Sequence, residues 1–206
     1  MKVKLFIILI FFSIKGIAQD PILSVTKTYF RAHPFDMKFS NFIRSLQADP
    51  WFTIENYERR TDSSFFYLSG TYKNFNPFKF EPTEIRLVIA ENEMLYEDSL
   101  QSRDTVINLQ LIGTTDTGET GFKQVEKEYK RFNNNQSRKF YDNHYSNIQK
   151  NGVIEAEIMN YFVFPFTISP ITVAWGKMTA SQKFVFTITI RFIVKENVAE
   201  LIEGHY

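Results

Sequence analysis

Hydrophobic and polar residues alternate along several segments of the chain, and this alternation predicts β-strands. In 84–90 and 104–111 an apolar residue recurs at every second position, as expected for a strand with one buried face. The longest alternation lies in 183–194, where the apolar positions are Phe184, Phe186, Ile188, Ile190, Phe192 and Val194. Residues 64–72 and 153–164 are rich in aromatic residues and are also predicted to be extended.

Two further segments have the spacing of an amphipathic helix. The first begins at Asp36, which can cap it, and ends at Asp49-Pro50, because proline disfavours helix in the residue before it. Its apolar stripe is Phe39, Phe42, Ile43 and Leu46, and that of the second helix is Phe122, Val125, Tyr129 and Phe132. We expect Asn133–Asn135 to interrupt the second helix, and Phe140, Tyr141, Tyr145 and Ile148 to continue it afterwards.

The order of these segments suggests two α-then-β units. Residues 112–120 are small and polar, so we place a boundary there, with units at 19–112 and 113–206. The pattern Pro-Phe-x-apolar-x-Pro occurs at 77–82 and again at 165–170, 88 residues apart, which favours a duplication over coincidence. One continuous domain is the alternative. Both interpretations predict an α+β fold of antiparallel sheet with helices packed on one face.

The N-terminal residues 1–18 predict a cleaved secretory signal. Lys2 and Lys4 precede the apolar run Leu5–Ile14, and Gly16-Ile17-Ala18 supplies a small-x-small cleavage pattern. A membrane anchor is the alternative, but a run of ten residues is about half the length that spans a bilayer. We therefore expect an exported protein, periplasmic or extracellular, with no transmembrane segment in the mature chain.

Composition narrows the classes of function. Loss of residues 1–18 would change the formal net charge from +1 to −2, so the mature chain lacks the basic surface typical of nucleic-acid binding. The absence of cysteine excludes disulfides and thiolate metal sites. Phenylalanine, at 22 residues, outnumbers the 12 tyrosines and tryptophans, which favours core packing or apolar contacts over sugar stacking.

The segment Lys73–Phe80 is the predicted partner-binding surface. It carries Phe75, Phe78 and Phe80 beside two lysines, and an exposed apolar patch of this kind is typical of protein interfaces. We predict neither cofactor nor metal. The histidines, His33, His144 and His205, lack partners at the spacing that zinc sites require.

Glu155 and Glu157 are the candidates for catalysis. On a regular strand they would share a face about 6.5–7 Å apart, within the range of an inverting glycosidase. The alternative, which we favour, places Glu155, Glu157 and Tyr161 on a solvated strand face opposite a face of Ile154, Ala156, Ile158, Phe162 and Phe164.

No catalytic motif is found, so the sequence favours a non-catalytic binding or interaction protein, such as a subunit of a cell-envelope assembly. A carrier of a hydrophobic small molecule is one alternative, because Phe-rich faces can enclose a cavity. A carboxylate-dependent glycan hydrolase acting through Glu155 and Glu157 is the other.

Overall fold

The computed structural model describes the greater part of the chain: residues 21–35, 37–59, 66–91, 105–163 and 170–194. The predicted signal at 1–18, the cap at Asp36 and His205 lie outside these residues. Within them, no helix combines the length and the apolar character needed to cross a bilayer.

The described residues form three α-helices and eight β-strands. The helices are α1 (Pro21–Tyr29), α2 (Phe39–Gln47) and α3 (Gly118–Gln136), followed by a 3₁₀ turn at Ser137–Lys139. The strands are β1 (Phe52–Arg59), β2 (Phe66–Tyr72), β3 (Glu84–Glu91), β4 (Thr105–Thr117), β5 (Asp142–Lys150), β6 (Val153–Phe162), β7 (Ile171–Lys177) and β8 (Lys183–Val194). The chain is therefore a mixed α+β protein, as predicted.

All eight strands belong to one antiparallel sheet in the order β1-β2-β3-β4-β8-β7-β6-β5. β4 and β8 lie at its centre, with 13 and 12 residues, and pair from Thr105↔Val194 to Thr114↔Val185. Their alternating apolar residues explain this position, because Leu109 and Ile190 are opposite each other and both fully buried. Burial of each such side chain contributes roughly 1.5–3 kcal/mol.

One hydrophobic cluster joins all three helices to the sheet. Phe132 of α3 lies 5.5 Å from Tyr29 of α1 and 5.9 Å from Tyr161 of β6, measured between ring centroids. Phe39 of α2 lies 5.6 Å from Phe66 of β2. The apolar stripes predicted for α2 and α3 are therefore the surfaces that pack into the core.

The prediction that residues 140–148 continue the second helix is wrong. α3 runs through Asn133–Asn135 to Gln136, and Asp142–Lys150 then forms strand β5. The low helix propensity of asparagine is offset here, since Asn133 accepts a hydrogen bond of 2.5 Å from the Tyr161 hydroxyl. β5 pairs with β6 along its length, and this long-range ladder outweighs the local helical spacing.

The faces predicted for 153–163 are also wrong, and Phe164 lies outside the described residues. Tyr161, expected on the solvated face, is fully buried, and Met159 on the same side of the strand packs against the core. Ile154, expected on the buried face, is 40% exposed. Alternation fails as a guide because both faces of β6 carry apolar residues, and contact with α3 decides which face is covered.

Residues 112–120, where we placed the boundary between the two units, complete β4 and begin α3. Gly113 is required by close packing, because a Cβ atom there would lie 2.5 Å from the Phe78 ring. Gly118 begins the helix with φ of 86°, a conformation that favours glycine. The small residues of this segment thus serve packing and a sharp change of direction.

Candidate functional site

The three phenylalanines predicted to form an exposed patch have different environments. Phe78 and Phe80 are 5% and 7% exposed, and their rings stack at 5.2 Å with an interplanar angle of 11°. Phe78 also contacts Phe186 of β8 at 5.5 Å. Both residues therefore belong to the core, and Phe75 is the one of the three that stays partly accessible, since it is half-buried against Tyr72.

The loop between β2 and β3 is fixed by its own hydrogen bonds. The Asn76 amide group donates to the Phe80 carbonyl at 2.8 Å, while its oxygen accepts from the backbone N–H of Phe78 at 2.9 Å. The backbone N–H of Lys79 donates to the Glu128 carboxylate of α3 at 3.3 Å. These contacts hold the loop against α3, whereas Phe75 lies on the part of the loop that borders a pocket.

An open pocket of about 320 Å³ lies beside this loop. Tyr72, Phe75 and Ile85 contribute apolar surface to it, and Asn74, Glu81 and Glu84 contribute polar groups. Glu84 accepts a hydrogen bond from Arg86 at 3.2 Å, which raises the pKa of that guanidinium further. Burial raises the pKa of Tyr72 well above its usual range, so its hydroxyl stays neutral.

This volume is at the lower end of the range for ligand pockets. The pocket can accept a side chain or small group that has an apolar body and a donor or cation for the carboxylates of Glu81 and Glu84. Aromatic residues such as Tyr72 and Phe75 are enriched in protein interfaces, and carboxylates such as those of Glu81 and Glu84 are found at the polar rim.

A second cluster of polar and aromatic side chains surrounds Glu157. One carboxylate oxygen accepts a hydrogen bond of 2.8 Å from the Tyr145 hydroxyl, and the other accepts one of 2.6 Å from the Trp175 indole N–H. Trp175 is 3% exposed and meets Phe122 of α3 edge-on at 5.1 Å. Burial raises the pKa of Tyr129 to about 12, with a further contribution from the Glu157 charge.

This arrangement differs from the paired carboxylates predicted for catalysis. Ile148 pairs with Ala156 and Gln149 with Ile154, so Glu155 lies in a β-bulge where the regular strand spacing does not hold. Glu157 is instead brought together with Tyr145 and Trp175, which the sequence did not connect with it. In this position its carboxylate links β5, β6 and β7.

Among the described residues, no three His, Asp or Glu side chains are grouped closely enough to hold a metal ion. The Nε2 atom of His144 lies 3.1 Å from the Asp142 carboxylate on exposed β5. His33 lies beside the Phe35 ring, 6.3 Å away.

A scan against protein-family models, a search of curated proteins and a search of solved structures each gave no significant match.

Proposed function

We propose that this chain is an exported, non-catalytic interaction protein that binds a partner protein, in a cell-envelope assembly, through the pocket beside Phe75. The observation that carries the proposal is the open pocket of about 320 Å³ on a loop held by Asn76. A preformed concave surface with an aromatic wall reduces the ordering cost of binding. Export rests on the pattern of residues 1–18 alone.

The pocket also indicates what the partner presents. Glu81 and Glu84 lie on its wall, and Phe75 and Tyr72 supply aromatic surface. A partner side chain with an apolar stem and a cationic end, such as arginine or lysine, matches both features. We therefore expect the contact to be weakened by salt as well as by loss of the aromatic ring.

Affinity purification of the tagged protein from gently solubilised envelopes tests the proposal. We expect the native chain to recover a partner in stoichiometric amount. With Phe75→Ala, the amount of partner recovered should fall by about tenfold. Phe35→Ala is the matched control, because Phe35 is also a partly exposed phenylalanine, at 39%, with an aromatic neighbour. A chain that is recovered alone and monomeric from every native extract refutes the proposal.

The carrier alternative gives a different result in the same sample. The pocket volume lies within the range for small ligands, so a carrier would retain a small molecule in native mass spectrometry, without a protein partner. Unchanged hydrolysis of glycan substrates by Glu157→Gln would exclude a role for that carboxylate, and loss of hydrolysis would support the hydrolase.

We also propose that the chain comprises two α-then-β units that share one sheet, with their helices on a single face. The strand order supports this, since β1–β4 and β5–β8 are two four-stranded sets that meet at their last strands. The Pro-Phe repeats at 77–82 and 165–170 both fall between the second and third strands of their set. An experimental structure in which 19–112 superimposes on 113–206 would support the duplication.

A further inference from the structure

Among the residues that the structure describes, β5 has no strand paired on its outer side. It is the terminal strand, and all nine of its residues are exposed. Tyr145 and Ile148 are 50% and 54% exposed. An edge strand offers a row of backbone N–H and C=O groups on its outer side, which another strand can pair with.

The opposite edge, β1, differs from β5 in regularity and charge. Ile54 pairs with Gly70 and Asn56 with Ser69, so the β1 edge itself contains an inserted residue, Glu55. A bulge and a charge of this kind obstruct pairing with another strand. In β5 the residues pair consecutively, and the inserted residue of the β5–β6 ladder lies in β6. β5 therefore lacks the bulge that protects β1.

The sequence of β5 is complementary to itself when a second copy runs antiparallel. Asp142 and Lys150 are its terminal residues, each four positions from Ser146. Pairing centred on Ser146 places Asp142 opposite the partner's Lys150, and the symmetry creates this opposite-charge contact twice. A parallel arrangement in the same register would instead place Asp142 opposite Asp142 of the partner subunit, and like charges directly opposite each other are destabilising.

The remaining cross-strand pairs are compatible with the same arrangement. Tyr145 faces the partner's Asn147, and His144 faces the partner's Ile148. Both exposed hydrophobic residues of β5 thus gain neighbours, and no like-charge pair arises within the nine residues. We propose that this protein forms an antiparallel homodimer through β5, joining two eight-stranded sheets into one.

Single cysteines test the geometry, because the chain contains no cysteine of its own. In the dimer, Ser146→Cys places the two introduced residues directly opposite each other, with Cα atoms about 4.5–5.5 Å apart, within disulfide range. Lys150→Cys is the matched control on the same strand, since its two copies would be roughly 27 Å apart at about 3.4 Å per residue. We expect oxidation to cross-link the first variant and leave the second monomeric on a denaturing gel. Equal cross-linking of both variants, or of neither, refutes the register.

Exchange of the charges at the two ends of β5 tests the same register independently. The dissociation constant of the dimer is measured on the mature chain by sedimentation equilibrium. Asp142→Lys and Lys150→Asp each create two like-charge contacts, so each should raise the dimer dissociation constant at least about tenfold. The double variant Asp142→Lys/Lys150→Asp restores opposite charges and should recover the native constant. Glu58→Lys, an exposed charge reversal on β1, should have no effect. A native chain that stays monomeric at high concentration, or single variants that match the double variant, overturns the proposal.

Discussion

Replacement of Tyr161 by phenylalanine removes one hydroxyl group from the contact between α3 and β6. Tyr161 is fully buried, and its hydroxyl donates to the Asn133 side chain at 2.5 Å. A neutral hydrogen bond contributes about 0.5–1.5 kcal/mol, and half-exposed Asn133 can recover part of the loss through water. We therefore expect Tyr161→Phe to lower the free energy of unfolding by about 1 kcal/mol, or the melting temperature by about 2–4 °C.

Tyr129 supplies the matched control, because it lies in the same cluster and is 4% exposed. Its hydroxyl is close to Asn133, but among the described atoms it meets no partner in hydrogen-bond geometry. Removing a buried, unpaired hydroxyl costs nothing in hydrogen bonding, so Tyr129→Phe should leave stability within about 0.5 kcal/mol of the native value or raise it.

Urea unfolding followed by far-ultraviolet circular dichroism measures both variants, with the slope m confirming that the unfolded states are comparable. Tyr161→Phe should lower the free energy of unfolding by more than Tyr129→Phe does. Equal losses, or a larger loss for Tyr129→Phe, would show that ring packing rather than the hydrogen bond to Asn133 decides the result.

Three further perturbations follow from buried contacts. The Glu128 side chain is 2% exposed and binds Arg131 and the Lys79 backbone, so Glu128→Ala should lower the free energy of unfolding in urea by about 2–3 kcal/mol. Glu126→Ala, at a partly exposed position that pairs with Lys130, should lower it by less than about 0.5 kcal/mol. Gly113→Ala places a Cβ atom 2.5 Å from Phe78 and should cost about 1–3 kcal/mol, measured as a lower melting temperature; an unchanged value would contradict the tight packing. Burial raises the pKa of Tyr29 from 10 to about 12 in the folded protein. The contribution of its neutral hydroxyl to stability is therefore complete below pH 10. That contribution is lost as pH rises towards 12. When the free energy of unfolding is measured between about pH 9 and 12, it should fall less steeply for Tyr29→Phe than for the native chain.

The strands with one buried face were predictable from the sequence. β3 and β8 begin at the predicted residues, because their alternation reflects burial on one side along the whole strand. β5 was missed since all of its residues are exposed, so no hydrophobic alternation marks it. A usable signal was present: Asn151-Gly152 follows β5 directly, and both residues have positive φ, 53° and 78°, as a tight hairpin turn requires.

The candidate sites were less predictable, because exposure depends on residues distant in the sequence. Phe78 is buried by Gly113, Phe186 and Tyr29, and none of these lies in its own segment. Likewise, Glu157 receives its hydrogen bonds from neighbouring strands. Such pairings depend on strand order and register, which local periodicity does not determine.

The two surfaces proposed for binding lie in opposite halves of the sheet. The pocket lies between β2 and β3, in the half of the sheet that ends at β1, whereas the self-complementary edge is β5 at the other end. Pairing through β5 would leave the pocket of each copy at the outer parts of the joined sheet. A dimer could then present two pockets to one assembly, and their linkage would strengthen binding without any new contact in either pocket. Loss of dimerisation in Asp142→Lys should therefore weaken capture of an envelope partner even though Phe75 is unchanged.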